Sequence, residues 1–244
     1  MTENVADILL DWVRFIDGGQ AFEVNRRIVL ATRNIGIGHQ GVVKFAGVMN
    51  MLTPMNENSY RDHVTSIHNA AETEAKRSMA NAAREAKEFY EPEDDGIYNI
   101  GVSGDGTWKR RGYSSAYGVV TALSTVTSKV LDVEIMSKEC SECMVWRGRE
   151  REGTVALQEW WEGHQHLCQV NHFGSSGSMD ASGMLSMFQR SVEAHSTRYT
   201  EFLGDGDSKA HKLITEQAVY GDVEVTKLDV WAMFRNVLDR DFDH

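Results

Sequence analysis

Proline is almost missing from this chain, with two residues in 244. That excludes a Pro-rich linker or a low-complexity architecture. Cysteine is scarce too: Cys140, Cys143 and Cys168 are the only three. An odd count does not build a secreted disulfide framework. No apolar run is long enough to span a bilayer. The N-terminus lacks the basic segment and apolar core of a signal peptide. These absences predict an intracellular chain with no membrane partner. Positive charge is also short, since 25 Lys and Arg against 36 Asp and Glu leave a net charge of −11. A globally basic nucleic-acid-binding domain is excluded, and phosphate contact has to come from local patches. Carboxylates that bind divalent metal would themselves add to the negative count.

What is present is ordinary globular material. The length of 244 residues allows one large domain or two small ones, with a core that needs no staples. Residues 5–16 carry apolar side chains at helical spacing, and Asp17-Gly18-Gly19 stops them. Phe22, Val24 and Ile28-Val29-Leu30 read as extended chain. Residues 42–51 read as a short buried helix. Asn58 or Ser59 caps a long helix reaching about Tyr90, rich in Ala, Glu, Lys and Arg. Glu91-Pro92-Glu93-Asp94-Asp95-Gly96 breaks that helix. A mostly helical N-terminal region, 1–95, is thus set apart from a core over 96–244.

In the core the pattern predicts strands over 97–102, 113–124 and 129–136, joined by short turns as an antiparallel meander. An irregular insertion at about 137–177 follows. Then come a helix over 179–194, a strand over 198–203, a helix over 208–218, a strand over 223–230 and a helix over 231–238. The order β-β-β-α-β-α-β-α makes an α/β fold, a mixed sheet with helices on its faces. It is the order of ribonuclease-H-like nucleases.

Asp105 sits where the first strand is expected to end, and Asp205 where the fourth ends. On neighbouring strands two such carboxylates converge, as phosphoryl transfer through two divalent metals requires. Mg²⁺ or Mn²⁺ is the expected ion, since hard cations take carboxylates, waters and phosphate oxygens. Asp-Gly pairs are also plain turn signals. Asp207 is a third candidate, or the cap of the helix that begins near Ser208. Gly104, Gly106, Gly204 and Gly206 would let a substrate backbone come close. Lys109, Arg110 and Arg111 are either solvated surface or a grip on a DNA phosphate backbone. Trp108, Trp146, Trp160 and Trp161 are core residues or platforms for unpaired bases. The long helix serves packing or dimerisation as well as it serves DNA contact, so a homo-oligomer stays open.

The cysteines form a second constellation. Cys140-Ser141-Glu142-Cys143 is a C-x2-C pair, Cys168 and His172 make C-x3-H, and His164 and His166 lie just before. Structural zinc takes four such ligands in a closed tetrahedron. Cys140, Cys143 and Cys168 are the stronger candidates, with His166 or His172 as the fourth. The alternative is three reduced, partly buried thiols. Gly174-Ser175-Ser176-Gly177 beside His172 does not meet the G-x-S-x-G pattern of a hydrolase elbow. It reads as a turn, with Ser178 as the cap of the following helix.

Several segments together resemble animal Mutator-like transposase domains. They are Asp105-Gly106-Thr107-Trp108-Lys109-Arg110-Arg111-Gly112-Tyr113-Ser114-Ser115, Gly118-Val119-Val120-Thr121-Ala122 and Lys129-Val130-Leu131-Asp132. Further along are Asn171-His172-Phe173-Gly174-Ser175-Ser176-Gly177-Ser178-Met179, Arg198-Tyr199-Thr200 and Gly204-Asp205-Gly206-Asp207-Ser208-Lys209. Upstream, Val24-Asn25-Arg26-Arg27 and Gly47-Val48-Met49-Asn50-Met51 also fit, so the resemblance runs roughly from residue 22 to 230. It implies a nuclear, ribonuclease-H-like core that cuts and joins DNA with an acidic triad. Transposon ends and target DNA would be its partners. Asp105 and Asp205 match the first two acids, with Asp207 close by.

The third acid of the family lies on a later helix. Glu216, Asp239 and Asp241 match no motif for it. Where the family carries a Cys and a His three apart, this chain has Val230 and Met233; Asp180 stands where the family favours Glu. These departures imply a truncated or degenerate transposase. The alternative is a catalytically inactive, zinc-stabilised DNA- or protein-binding module derived from one.

Overall fold

The computed structural model describes residues 22–52, 55–109, 115–147, 154–204 and 209–228. The chain divides into two compact units, Met1–Arg77 and Ser78–His244. The division falls inside the long helix, upstream of the acidic break at 91–96.

In the first unit, α1 is Glu23–Asn34, α2 is His39–Val48 and α3, Glu57–Lys87, begins. Phe22 is extended as expected, but Val24 and Ile28-Val29-Leu30, also expected to be extended, lie in the helix. Its β-branched Ile28 and Val29 favour a strand locally, but two other effects decide. Glu23 pairs with Arg27 one turn on, at 2.6 Å. Val29 is fully buried in a cluster with Val42, Met55 and Tyr60, where Ile28 packs alongside. The second helix is not buried all round: Val42 and Ala46 are buried, while Phe45 and Val48 are exposed. The cap of α3 is Asn56, whose Oδ1 accepts the Ser59 N–H at 2.8 Å. The helix therefore starts slightly before the expected Asn58 or Ser59.

The second unit is built on five strands: β1 Tyr98–Trp108, β2 Tyr117–Ser124, β3 Val130–Ser137, β4 Thr197–Leu203 and β5 Thr226–Leu228. Their order is β3-β2-β1-β4-β5. The first three form the expected antiparallel meander, and β4 and β5 add in parallel. Four helices complete the described part: α4 Ser141–Arg147, α5 Thr154–His164, α6 Met179–His195 and α7 Lys209–Glu216. The insertion at 137–177 is therefore not irregular, since α4 and α5 occupy much of it. The helices expected over 5–16 and 231–238 lie outside the described residues.

The core lies between the sheet and α6. Along β2 buried and half-buried positions alternate, as a strand with one covered face requires. Met184, Met187 and Phe188 of α6 are buried against Val102, Val120, Tyr199 and Phe202. Phe188 meets Tyr199 and Phe202 edge-on, with centroids 5.2 and 5.7 Å away. Arg190 ties α6 to the edge strand. Its Nε and Nη2 donate to the two Asp132 carboxylate oxygens at 2.8 and 2.9 Å, and Nη1 donates to Glu134. A β-bulge at Ile100/Gly101 sets β1 in place, and there the Gly101 N–H donates to Tyr90 Oη at 3.2 Å.

Candidate metal centre and strand-borne acid

The end of β3 starts the path to the Cys/His cluster. Asn171 fastens the returning chain to that strand: its Oδ1 accepts the Ser137 N–H and its Nδ2 donates to Ile135 O, both at 2.7 Å. Cys140 precedes α4, and its carbonyl accepts the Met144 N–H at 3.0 Å. Cys143 follows within the first turn. His164 is the last residue of α5, and Cys168 comes four residues later.

One ligand atom from each of Cys140, Cys143, His164 and Cys168 lies within 4.8 Å of all the others. His164 Nε2 is 3.4 Å from Cys140 Sγ and 3.3 Å from Cys143 Sγ, and the sulfurs of Cys143 and Cys168 are 3.6 Å apart. A tetrahedron with Zn–S bonds of about 2.3 Å sets two sulfurs about 3.8 Å apart, and a sulfur and an imidazole nitrogen slightly closer. The four side chains fit that spacing. All three cysteines are free thiols.

The fourth member corrects the sequence expectation. Neither His166 nor His172 joins the cluster. His166 lies beyond the end of α5 and is exposed. His172 is buried elsewhere, with Nε2 3.1 Å from Ser175 O and 3.0 Å from Ser178 Oγ, where it braces the turn into α6. The spacing His164-x3-Cys168 is as regular as Cys168-x3-His172, so spacing alone does not choose between them. Only the position of His164 on the last turn of α5 separates them.

Two contacts orient His164. Trp160 stacks on its ring, with centroids 4.5 Å apart and planes 14° off parallel. Glu142 Oε2 stands 2.9 Å from Nδ1, an electrostatic contact and not an aligned hydrogen bond. A carboxylate on Nδ1 favours the tautomer that leaves Nε2 free as a ligand. Burial works against a thiolate at Cys140, but backbone hydrogen bonds at Gln169, Cys143 and Glu142 outweigh it and bring the thiol down to about 6. Burial, followed by its cysteine neighbours, pushes Cys143 up to about 12.

The acid Asp105 lies within β1, not at its end, because the strand continues to Trp108. Its side chain is exposed, and its carbonyl accepts the Thr121 hydroxyl at 3.2 Å from β2. On the other side β4 runs parallel, with Leu203 beside Ser103 as the last pair. The two strands expected to carry the acids are thus neighbours. Asp205 and Asp207 themselves lie outside the described residues, as do Arg110, Arg111 and Gly206. Lys109 is exposed, and its Nζ sits over the Tyr117 ring at 5.0 Å.

The glycines beside Asp105 do not open a space for substrate. A Cβ at Gly104 would lie 2.2 Å from Met184 Cε, and one at Gly106 would lie 2.7 Å from Asp180 Oδ1. Both make room for α6. The second brings the Asp180 carboxylate against β1 at the residue next to Asp105, a placement that sequence order alone did not reveal. Trp108 is not a free platform either. It packs on the core, and its ring covers Gly118, where a Cβ would be 2.2 Å away.

A family model described as Mutator-like transposase matches residues 14–231. The chain belongs to the Mutator-like transposase family. No curated protein matches it, and no solved structure does. In this Mutator-like chain the matched span takes in Asp105, Asp180 and all four residues of the Cys/His cluster. Among the described residues no helix is long and apolar enough to cross a membrane.

Proposed function

We propose that this chain is the ribonuclease-H-like core of a DNA transposase, cutting and joining DNA with Asp105 and Asp205 as metal-binding acids. The observation that carries the reading is the exposed Asp105 on β1, flanked by the parallel β4 whose chain leads on to Asp205. Mg²⁺ at these carboxylates would supply the charge neutralisation that phosphoryl transfer needs. Asp207 is a further acid of the same loop. Lys109, Arg110 and Arg111 would hold the phosphate backbone beside the acids. A nuclear location belongs to the same reading, from the resemblance to animal Mutator-like transposases.

Zinc at Cys140, Cys143, His164 and Cys168 is the second part of the proposal. A closed site of three thiolates and one imidazole is structural, since no position stays open for substrate. It would fix α4 and α5 to each other and to the end of β3.

The test is Mg²⁺-dependent nicking of duplex DNA by the wild type and by Asp105→Asn. The wild type should nick and the variant should not. A zinc-loaded, folded wild type that binds DNA and leaves it intact would refute catalysis. It would favour the inactive, zinc-stabilised DNA- or protein-binding module derived from a transposase.

A further inference from the structure

Beside the Cys/His cluster lies an open cavity of about 540 Å³. Its walls include Trp146, Trp160, Trp161 and Phe173, and Lys138 and Arg147 stand among them. Two of the aromatics are fully engaged as a wall. Trp160 is stacked between Trp146, with centroids 5.0 Å apart and planes 23° off parallel, and the His164 ring. The column is therefore anchored on the Cys/His cluster. The other two aromatics are more open, although Trp161 also makes tilted contacts with Trp160 and with His164, each at 6.1 Å. Trp161 is 44% exposed and Phe173 is 93% exposed. Large aromatic faces held in water around one concavity mark a binding surface, not a core.

The charge at the cavity is selective. The chain carries 36 acidic residues, yet among the described residues none lines this space. Lys138 and Arg147 do, and neither forms an ion pair with a described residue. Glu142, the nearest acid in sequence to Cys143, is turned toward His164. A site with planar aromatic faces and two cations that pair with no described residue fits a ligand with a flat ring and a phosphate. Its volume lies in the range of small-ligand sites. A base in a duplex has both faces covered, so only an unpaired nucleotide can offer one to Trp161 or Phe173.

We propose that this cavity binds an unpaired nucleotide of a DNA strand, with its base against Trp161 and Phe173 and its phosphate on Lys138 and Arg147. The proposal rests on the DNA-processing reading above, and it assigns the insertion a direct part in holding a strand that strand transfer leaves single.

The experiment compares three fluorescein-labelled probes by anisotropy: a twelve-nucleotide oligo-dT, the same strand made abasic at its central positions, and a duplex. Proteins are the wild type and the double variant Trp161→Ala/Phe173→Ala, each checked for zinc content and circular dichroism. The exposure of both side chains makes a folded variant the expected result. The double variant should bind the single strand about tenfold or more weaker, as loss of base stacking implies, and the duplex unchanged. The wild type should lose a similar factor on the abasic strand. Lys138→Gln/Arg147→Gln should reduce the salt dependence of single-strand binding. Equal affinity of the wild type and the aromatic variant for the single strand would overturn the proposal. Duplex binding without single-strand binding would sink the cavity and leave the DNA-processing reading intact; binding of neither would remove both. Uptake of an apolar dye into the cavity with no strand binding would overturn it in favour of a protein-docking face.

Discussion

His164 Nε2 lies 3.3 Å from the sulfur of Cys143, although twenty residues separate the two in sequence. That contact makes His164, and not its neighbours, the fourth ligand candidate. Purified wild type should carry about one zinc per chain by the four-ligand requirement. His164→Ala should lose it, whereas His166→Ala and His172→Ala should keep it. Metal analysis after dialysis reads the difference, and zinc retained in His164→Ala would refute the assignment. Glu142→Gln should weaken zinc by roughly ten- to a hundredfold through the orienting contact on Nδ1.

Asp105 is exposed on a well-paired strand, so Asp105→Asn should change stability by no more than about 0.5 kcal/mol. The same change should eliminate Mg²⁺-dependent DNA nicking. A thermal melt and a plasmid assay on one preparation separate the two effects. Nicking at the wild-type rate would remove Asp105 from the proposed site.

Arg190 holds α6 to β3 through Asp132, which is buried at 6% exposure. Removing the cation leaves that carboxylate without its ion pair; burial lowers the guanidinium's pKa, but Asp132 and Glu134 outweigh it and hold it above its ordinary range. The Arg190 side chain is 37% exposed, so solvent shares the charge and the loss falls below that of a fully buried pair. Arg190→Met should cost about 2–3 kcal/mol by that discounted comparison, read from urea unfolding. A cost under about 0.5 kcal/mol would show that the pair holds nothing together.

His195 closes the same helix. Burial lowers its pKa from 6.5, Lys87 and Arg190 act in the same direction, and Asp132 and a hydrogen bond with the Leu131 backbone oppose them. The folded state thus prefers the neutral ring. Its contribution is complete above the unfolded value near 6.5 and is lost as pH falls through the folded value. Stability should drop as pH falls below about 6.5 more steeply in the wild type than in His195→Gln. Urea midpoints across that window measure it, and parallel curves would rule out a titrating His195.

The strands and α6 were legible in sequence because their apolar residues alternate or recur with one dominant period. The antiparallel meander followed from its short turns. The α1 segment was not legible, because Ile28 and Val29 favour a strand locally, and the Glu23–Arg27 pair together with packing against Val42 and Tyr60 makes them helical. The helices α4 and α5 were hidden for a related reason: a segment that packs around a side-chain cluster shows little amphipathic periodicity of its own. The glycines at 104 and 106 were read as space for substrate, and the space they leave is taken by Met184 and Asp180 of α6.

The sequence by itself determined the family, through motifs in a fixed order, and the residue types of both candidate sites: Asp105 on a strand, and cysteines at a spacing two thiolates can share. Tertiary structure decided which groups meet. His164 and not His172 faces the sulfurs, because α5 ends where it does and the chain then turns back to Ser137. Asp180 reaches β1 because α6 starts beside Gly106, where no Cβ stands in the way. Linear spacing states what a segment can reach; packing of helices on the sheet selects which of those contacts are made.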